Sequence, residues 1–93
     1  MPQRLPETGG QERQIILTEQ RWAHIIDGHP ELANHRALVL SIATRPERSL
    51  PGRRPAEEWL YGRGGPSRWL KVVVHWQGDH GTVVTAFARR RYP

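Results

Sequence analysis

Two clusters of turn chemistry, Gly64-Gly65-Pro66-Ser67 and Gly78-Asp79-His80-Gly81, divide the last third of the chain into runs of strand length. The runs are Glu58 to Arg63, Arg68 to Trp76 and Thr82 to Ala88. Connections this short let each run pair only with its neighbour, which makes an antiparallel meander. Alternation puts Leu70, Val72, Val74 and Trp76 on one face of the middle strand and Trp69, Lys71, Val73 and His75 on the other. Lys71 therefore stands among apolar neighbours. It is either an edge lysine that snorkels to water or a cation held in a half-buried site.

Upstream the apolar period changes from two to that of a helix. Thr18 reads as an N-cap, with Glu19 in the first turn, where the helix dipole favours a negative charge. The helix runs from Glu19 to Gly28. Its Trp22, Ile25, Ile26 and His29 share one stripe at i, i+3, i+4 and i+7, and Gly28 with Pro30 stops it. His24 lies about 200° around from Trp22, off that stripe. A second helix, from Pro30 or Glu31 to Thr44, aligns Leu32, His35 or Leu38, Val39 and Ile42 before Pro46 blocks it. Helices followed by strands, without β-α-β alternation, predict an α+β fold: two N-terminal helices packed on a small antiparallel meander sheet. Residues 1–13, rich in Pro, Gly, Gln and charge, read as a flexible lead-in. Residues 14–93 form a single domain, since 93 residues support only one core.

Charge narrows the partner. Residues 1–31 carry three Arg against five acidic residues, and residues 32–93 carry eleven basic against four acidic, for a net charge of +5. A basic second half with interleaved aromatics suits a polyanion, nucleic acid before membrane, although a GC-rich coding bias would also produce the Arg excess. The absence of Cys excludes a disulfide framework, a thiolate zinc site and a thiol nucleophile. No apolar run approaches the ~18 residues of a membrane span, and the first ten residues lack a signal-peptide core, so a cytoplasmic protein is expected. His24 and His29 are five residues apart, about 140° around a helix, and cannot chelate one ion together. His75, Asp79 and His80 flank a turn whose composition turn propensity already explains. No metal and no cofactor is expected. Gly62-Arg63-Gly64-Gly65 lacks the Lys-Ser/Thr ending of a phosphate loop, and no Gly-x-Ser-x-Gly occurs, so nucleotide hydrolysis and acyl transfer have no support.

The stretch Leu17-Thr18-Glu19-Gln20-Arg21-Trp22-Ala23-His24-Ile25-Ile26-Asp27-Gly28-His29-Pro30-Glu31-Leu32 resembles the opening of the phage-associated nuclease-like domains of the barnase, EndoU, colicin and RelE superfamily. Trp69-Leu70-Lys71-Val72-Val73-Val74 and Val83-Val84-Thr85-Ala86-Phe87 resemble their two closing strands, so the likeness spans about residues 15–88. It implies a helical N-terminal half on a four-stranded antiparallel sheet, and a metal-independent ribonuclease in a toxin or phage-linked effector. RNA, tRNA included, would be the substrate, and a neutralising antitoxin or immunity protein would be a partner. His24, His29, Lys71 and Thr85 match the motif positions.

Metal-free RNA cleavage needs a base for the 2′-OH, an acid for the leaving 5′-oxygen and fixed donors for the phosphate. His24 supplies the first or second role, with Lys71 beside it in one site. Strand placement adds Tyr61 and Arg63 as substrate contacts, and the Arg face adds Arg89. Each residue also has a plain structural role: His24 as a solvated helix residue, His29 as a helix-end cap, Thr85 as an ordinary strand residue. A non-catalytic module of the same fold that binds nucleic acid or protein is the alternative function.

Overall fold

The computed structural model describes residues 14–93; the lead-in expected over 1–13 lies outside the described residues. In chain order it contains β1 (Gln14–Ile16), α1 (Glu19–Gly28), a 3-10 turn (Pro30–Leu32), α2 (Arg36–Thr44), β2 (Arg48–Pro51), β3 (Glu57–Arg63), β4 (Trp69–Gln77) and β5 (His80–Arg89). The strands form one sheet in the order β1-β5-β4-β3-β2. β1 runs parallel to β5, and the other pairs are antiparallel. This is the expected α+β architecture, with the N-terminal helices packed on a sheet.

Thr18 caps α1 by accepting the Arg21 N–H on its hydroxyl at 3.0 Å. Trp22 and Ile25 are the buried pair of the predicted stripe. They share one core with Leu32, Val39, Ile42 and Ala43 from the helical half and Leu60, Leu70, Val72, Val74, Val83 and Ala86 from the sheet. The absence of a Cβ at Gly62 lets α2 approach, since one there would overlap Ile42.

The second helix is shorter than its apolar period predicts. The chain makes a 3-10 turn after Pro30, with Ala33 N–H bonded to Pro30 C=O and His35 N–H to Leu32 C=O, and α2 begins only at Arg36. At that start the Arg36 guanidinium contacts Glu19 at 2.7 Å and the Leu17 carbonyl at 3.3 Å, linking the first turn of α2 to that of α1. Leu32 is still buried, but from the 3-10 turn.

Two strands lie beyond the expected meander, so the sheet has five strands rather than the four that the resemblance implies, and it is mixed. β1 and β2 have three and four residues, too few for alternation to register. Pro51 fits β2 because that strand is an edge. Among the described residues no helix is long and apolar enough to cross a membrane.

A β-bulge interrupts the β4–β5 pairing. Val73 pairs with Thr85 but Val74 pairs with Val83, leaving Val84 as the extra residue. Val83 therefore stays under the helices, while Thr85, Phe87 and Arg89 face the other way, beside Lys71.

Trp22 belongs to this core and is only 7% exposed. Trp22→Ala is expected to cost about 3 to 5 kcal/mol, read as a shift of the chemical denaturation midpoint; a loss below about 1 kcal/mol would place its ring outside the core.

Candidate nucleic-acid interface

The helix-free face of the sheet is built in cross-strand rows. Arg48, Tyr61, Lys71 and Phe87 are successive partners across β2, β3, β4 and β5. Leu50, Trp59, Val73 and Thr85 make the next row, and Arg63, Trp69 and Arg89 the row on the other side. Aromatic rings and cations alternate across this surface, a composition that suits neither a solvated face nor a second core.

Lys71 is at its centre and is only 8% exposed. Since β4 is the central strand, the lysine has no sheet edge to snorkel around. Its ammonium lies 3.5 Å from the ring centre of Trp59, 5.4 Å from that of Phe87 and 5.7 Å from that of Tyr61. Ring faces are negative and hold a cation without neutralising it. Burial holds the Lys71 pKa below the usual lysine value; Arg89 and Arg53 lower it further, and Glu57 opposes them. Among the described residues no carboxylate comes within ion-pair distance of Lys71 or Arg89.

The other cations divide by partner. Arg63 stacks over Trp69 at 5.4 Å and pairs with Glu47 at 3.3 Å, which also accepts the Arg63 backbone N–H. It is partly neutralised at the rim. Arg48 donates to the Tyr92 hydroxyl at 3.2 Å, and Tyr92 meets Trp69 edge-on at 5.0 Å. Arg89 lies over Tyr61 at 5.9 Å.

The histidines separate. His29 ends α1, its backbone N–H bonded to Ile25 C=O, and there its imidazole stacks on Phe87 with ring centres 5.6 Å apart. His29 thus rests on the same Phe87 ring whose centre lies 5.4 Å from the Lys71 ammonium. Its Nδ1 is 3.6 Å from Glu31. His24 is exposed on α1, beside a shallow depression lined by Thr18, Gln20 and Arg21. Because α1 packs on the Leu70–Val72–Val74 face and Lys71 projects from the opposite one, the structure does not bring His24 to Lys71. Thr85 is half-buried on Lys71's face, one row away, and Tyr61 is buried beside Lys71.

Trp59 and Phe87 are the members that the sequence reading passed over, together with the neighbouring carboxylate of Glu57, which lies outside the binding set. Alternation along β3 places Glu57, Trp59, Tyr61 and Arg63 on one face and was a usable signal for Trp59. Phe87 had none, because the bulge reverses the phase of β5 at Val84. Among the described residues no three His, Asp or Glu side chains converge as metal ligands would. No family model, curated protein or solved structure matches the chain.

The lowered pKa of Lys71 has a signed consequence for stability. Between that value and about 10.4, the unfolded chain holds a proton that the folded protein has released, so this residue makes stability rise with pH across the interval. Denaturation of wild type and Lys71→Met in parallel is expected to show that rise in wild type alone. Equal pH dependence in both would mean that burial does not perturb the ammonium.

Proposed function

We propose that the protein is a metal-independent ribonuclease that binds RNA on the helix-free sheet face, with Lys71 and Arg89 on the phosphate and His29 as the imidazole of the site. The observation that carries this reading is Lys71: a buried ammonium, seated on aromatic rings beside a second cation, without a carboxylate to neutralise it. Such a group is matched by an incoming anion. Bases of an RNA strand can stack on the surrounding rings while its phosphate reaches the ammonium.

Neutral His29 takes the 2′-OH proton as that oxygen attacks the adjacent phosphorus. The bond to the 5′-oxygen breaks, leaving a 2′,3′-cyclic phosphate, and the 5′-oxygen takes a proton from Lys71, whose lowered pKa suits it as an acid. Arg89 and the hydroxyls of Thr85 and Tyr61 donate to the phosphate oxygens, where charge accumulates. Arg63, already bridged to Glu47, contacts a flanking phosphate. The resemblance to toxin and phage-linked nuclease domains supports the reading, along with a cytoplasmic site of action and a neutralising protein partner. The position of His24, away from this face, favours a second reading: a module that binds nucleic acid here without cleaving it.

Purified protein incubated with RNA in the presence of a chelator separates the two. Cleavage that survives chelation and leaves cyclic phosphate ends is expected, reduced by about 10²-fold or more in His29→Ala and Lys71→Ala and unchanged in His24→Ala. A mobility shift without cleavage selects the second reading, and the absence of both cleavage and a shift removes RNA from this face. Binding is also expected to weaken with salt, log K falling by about 0.7 per phosphate contact on a single strand for each unit of log salt concentration. A flat response between roughly 50 and 200 mM would leave the Arg-rich face without a polyanion role.

A further inference from the structure

Glu57 raises a question that the site alone leaves unanswered. It lies on the same face as Lys71, close enough to favour the ammonium electrostatically, yet the two form no ion pair. Its carboxylate is held elsewhere: Oε2 accepts the Trp59 indole N–H at 2.6 Å. Gly52 supports that placement, because a Cβ there would overlap the Glu57 side chain, and the Gly52 N–H bonds to the Glu57 carbonyl at 2.8 Å. The same indole presents its ring face to Lys71 at 3.5 Å. One side chain thus binds the cation by its face and the nearby anion by its edge.

We propose that Trp59 is a positioning residue that keeps Lys71 open to an RNA phosphate by holding the Glu57 carboxylate on its indole N–H while its ring carries the ammonium. This rests on the reading of Lys71 as the phosphate contact. The charged and titratable groups around Lys71 are Glu57 and Tyr61 on β3, Arg89 on β5, Arg53 in the β2–β3 connection and, beyond Phe87, His29. Of these only Glu57 could neutralise the ammonium, and an internal pair would compete directly with the phosphate. Trp59→Phe keeps a ring face and removes the N–H, so Glu57 is released towards Lys71.

Lys71 is the single lysine of the chain, so its titration can be followed by the NMR signal of its Cε without assignment ambiguity. The experiment is a four-member cycle of wild type, Trp59→Phe, Glu57→Gln and the double variant, each measured for Lys71 pKa and for affinity to a single-stranded RNA. Trp59→Phe is expected to raise the pKa by about one unit and weaken RNA binding about tenfold. Glu57→Gln alone is expected to change affinity by less than about twofold, whereas in the Trp59→Phe background it lowers the pKa again and restores binding, a non-additivity that a lost packing contact would not produce. The two Trp59→Phe proteins share the same lost ring volume, so their difference isolates the carboxylate. A pKa in Trp59→Phe that does not rise, or that Glu57→Gln does not reverse, overturns the proposal. If the pKa order holds while wild type binds no RNA, the positioning role of Trp59 stands and the RNA reading falls.

Discussion

A lysine on the central strand of a sheet cannot reach water past an edge, and the helix-free face is organised around that constraint. Lys71 has β3 on one side and β5 on the other, with the helices filling the opposite face of the sheet. Desolvating its ammonium is costly, and the neighbours that offset the cost are ring faces rather than a carboxylate. That choice separates a stored cation from a structural salt bridge. An ion pair would satisfy Lys71 internally, whereas quadrupoles stabilise it and leave its charge available.

The placement of those rings depends on one extra residue. Without the bulge at Val84, strict alternation would put Val83 and Thr85 on the same face, and either the helix-side core would lose Val83 or Lys71 would lose Phe87. With it, β5 supplies Val83 and Ala86 to the core and Thr85, Phe87 and Arg89 to the outer face. Phe87 in turn is where the imidazole of His29 rests, so the bulge also sets the ring that His29 shares with the lysine.

The two halves of the molecule serve each other unequally. Thr18, Arg36 and the apolar stripe fix the helices to the inner face with ordinary capping, ion-pair and packing interactions. The outer face has no comparable cover, only the edge-on contact of Tyr92 with Trp69 and the stacked arginines. Guanidinium groups over aromatic rings offer charge and π-faces together, the combination on which the proposed RNA contact rests.

Local signals in the chain were enough for part of this. The Thr18 cap, the Trp22–Ile25 stripe, the stop at Gly28-His29-Pro30 and the β3–β4–β5 meander are each written within a few residues, since capping, periodicity and turn chemistry act over that range. The apolar neighbours of Lys71 were likewise legible from alternation in β4, but whether it sat at an edge or was buried was decided only by the strand order. The ends of the sheet were not, because β1 and β2 are too short to carry a period and form only against the edges that β5 and β3 present. Nor was the 3-10 turn that replaces the start of the second helix, or the separation of His24 from His29. Both histidines belong to the same motif, and only packing determined that one stays on the helix surface while the other meets Phe87. A bulge adds no residue type that a sequence pattern can flag. Its cost and its benefit both lie in pairing with a strand distant in sequence, and that pairing exists only once the chain has folded.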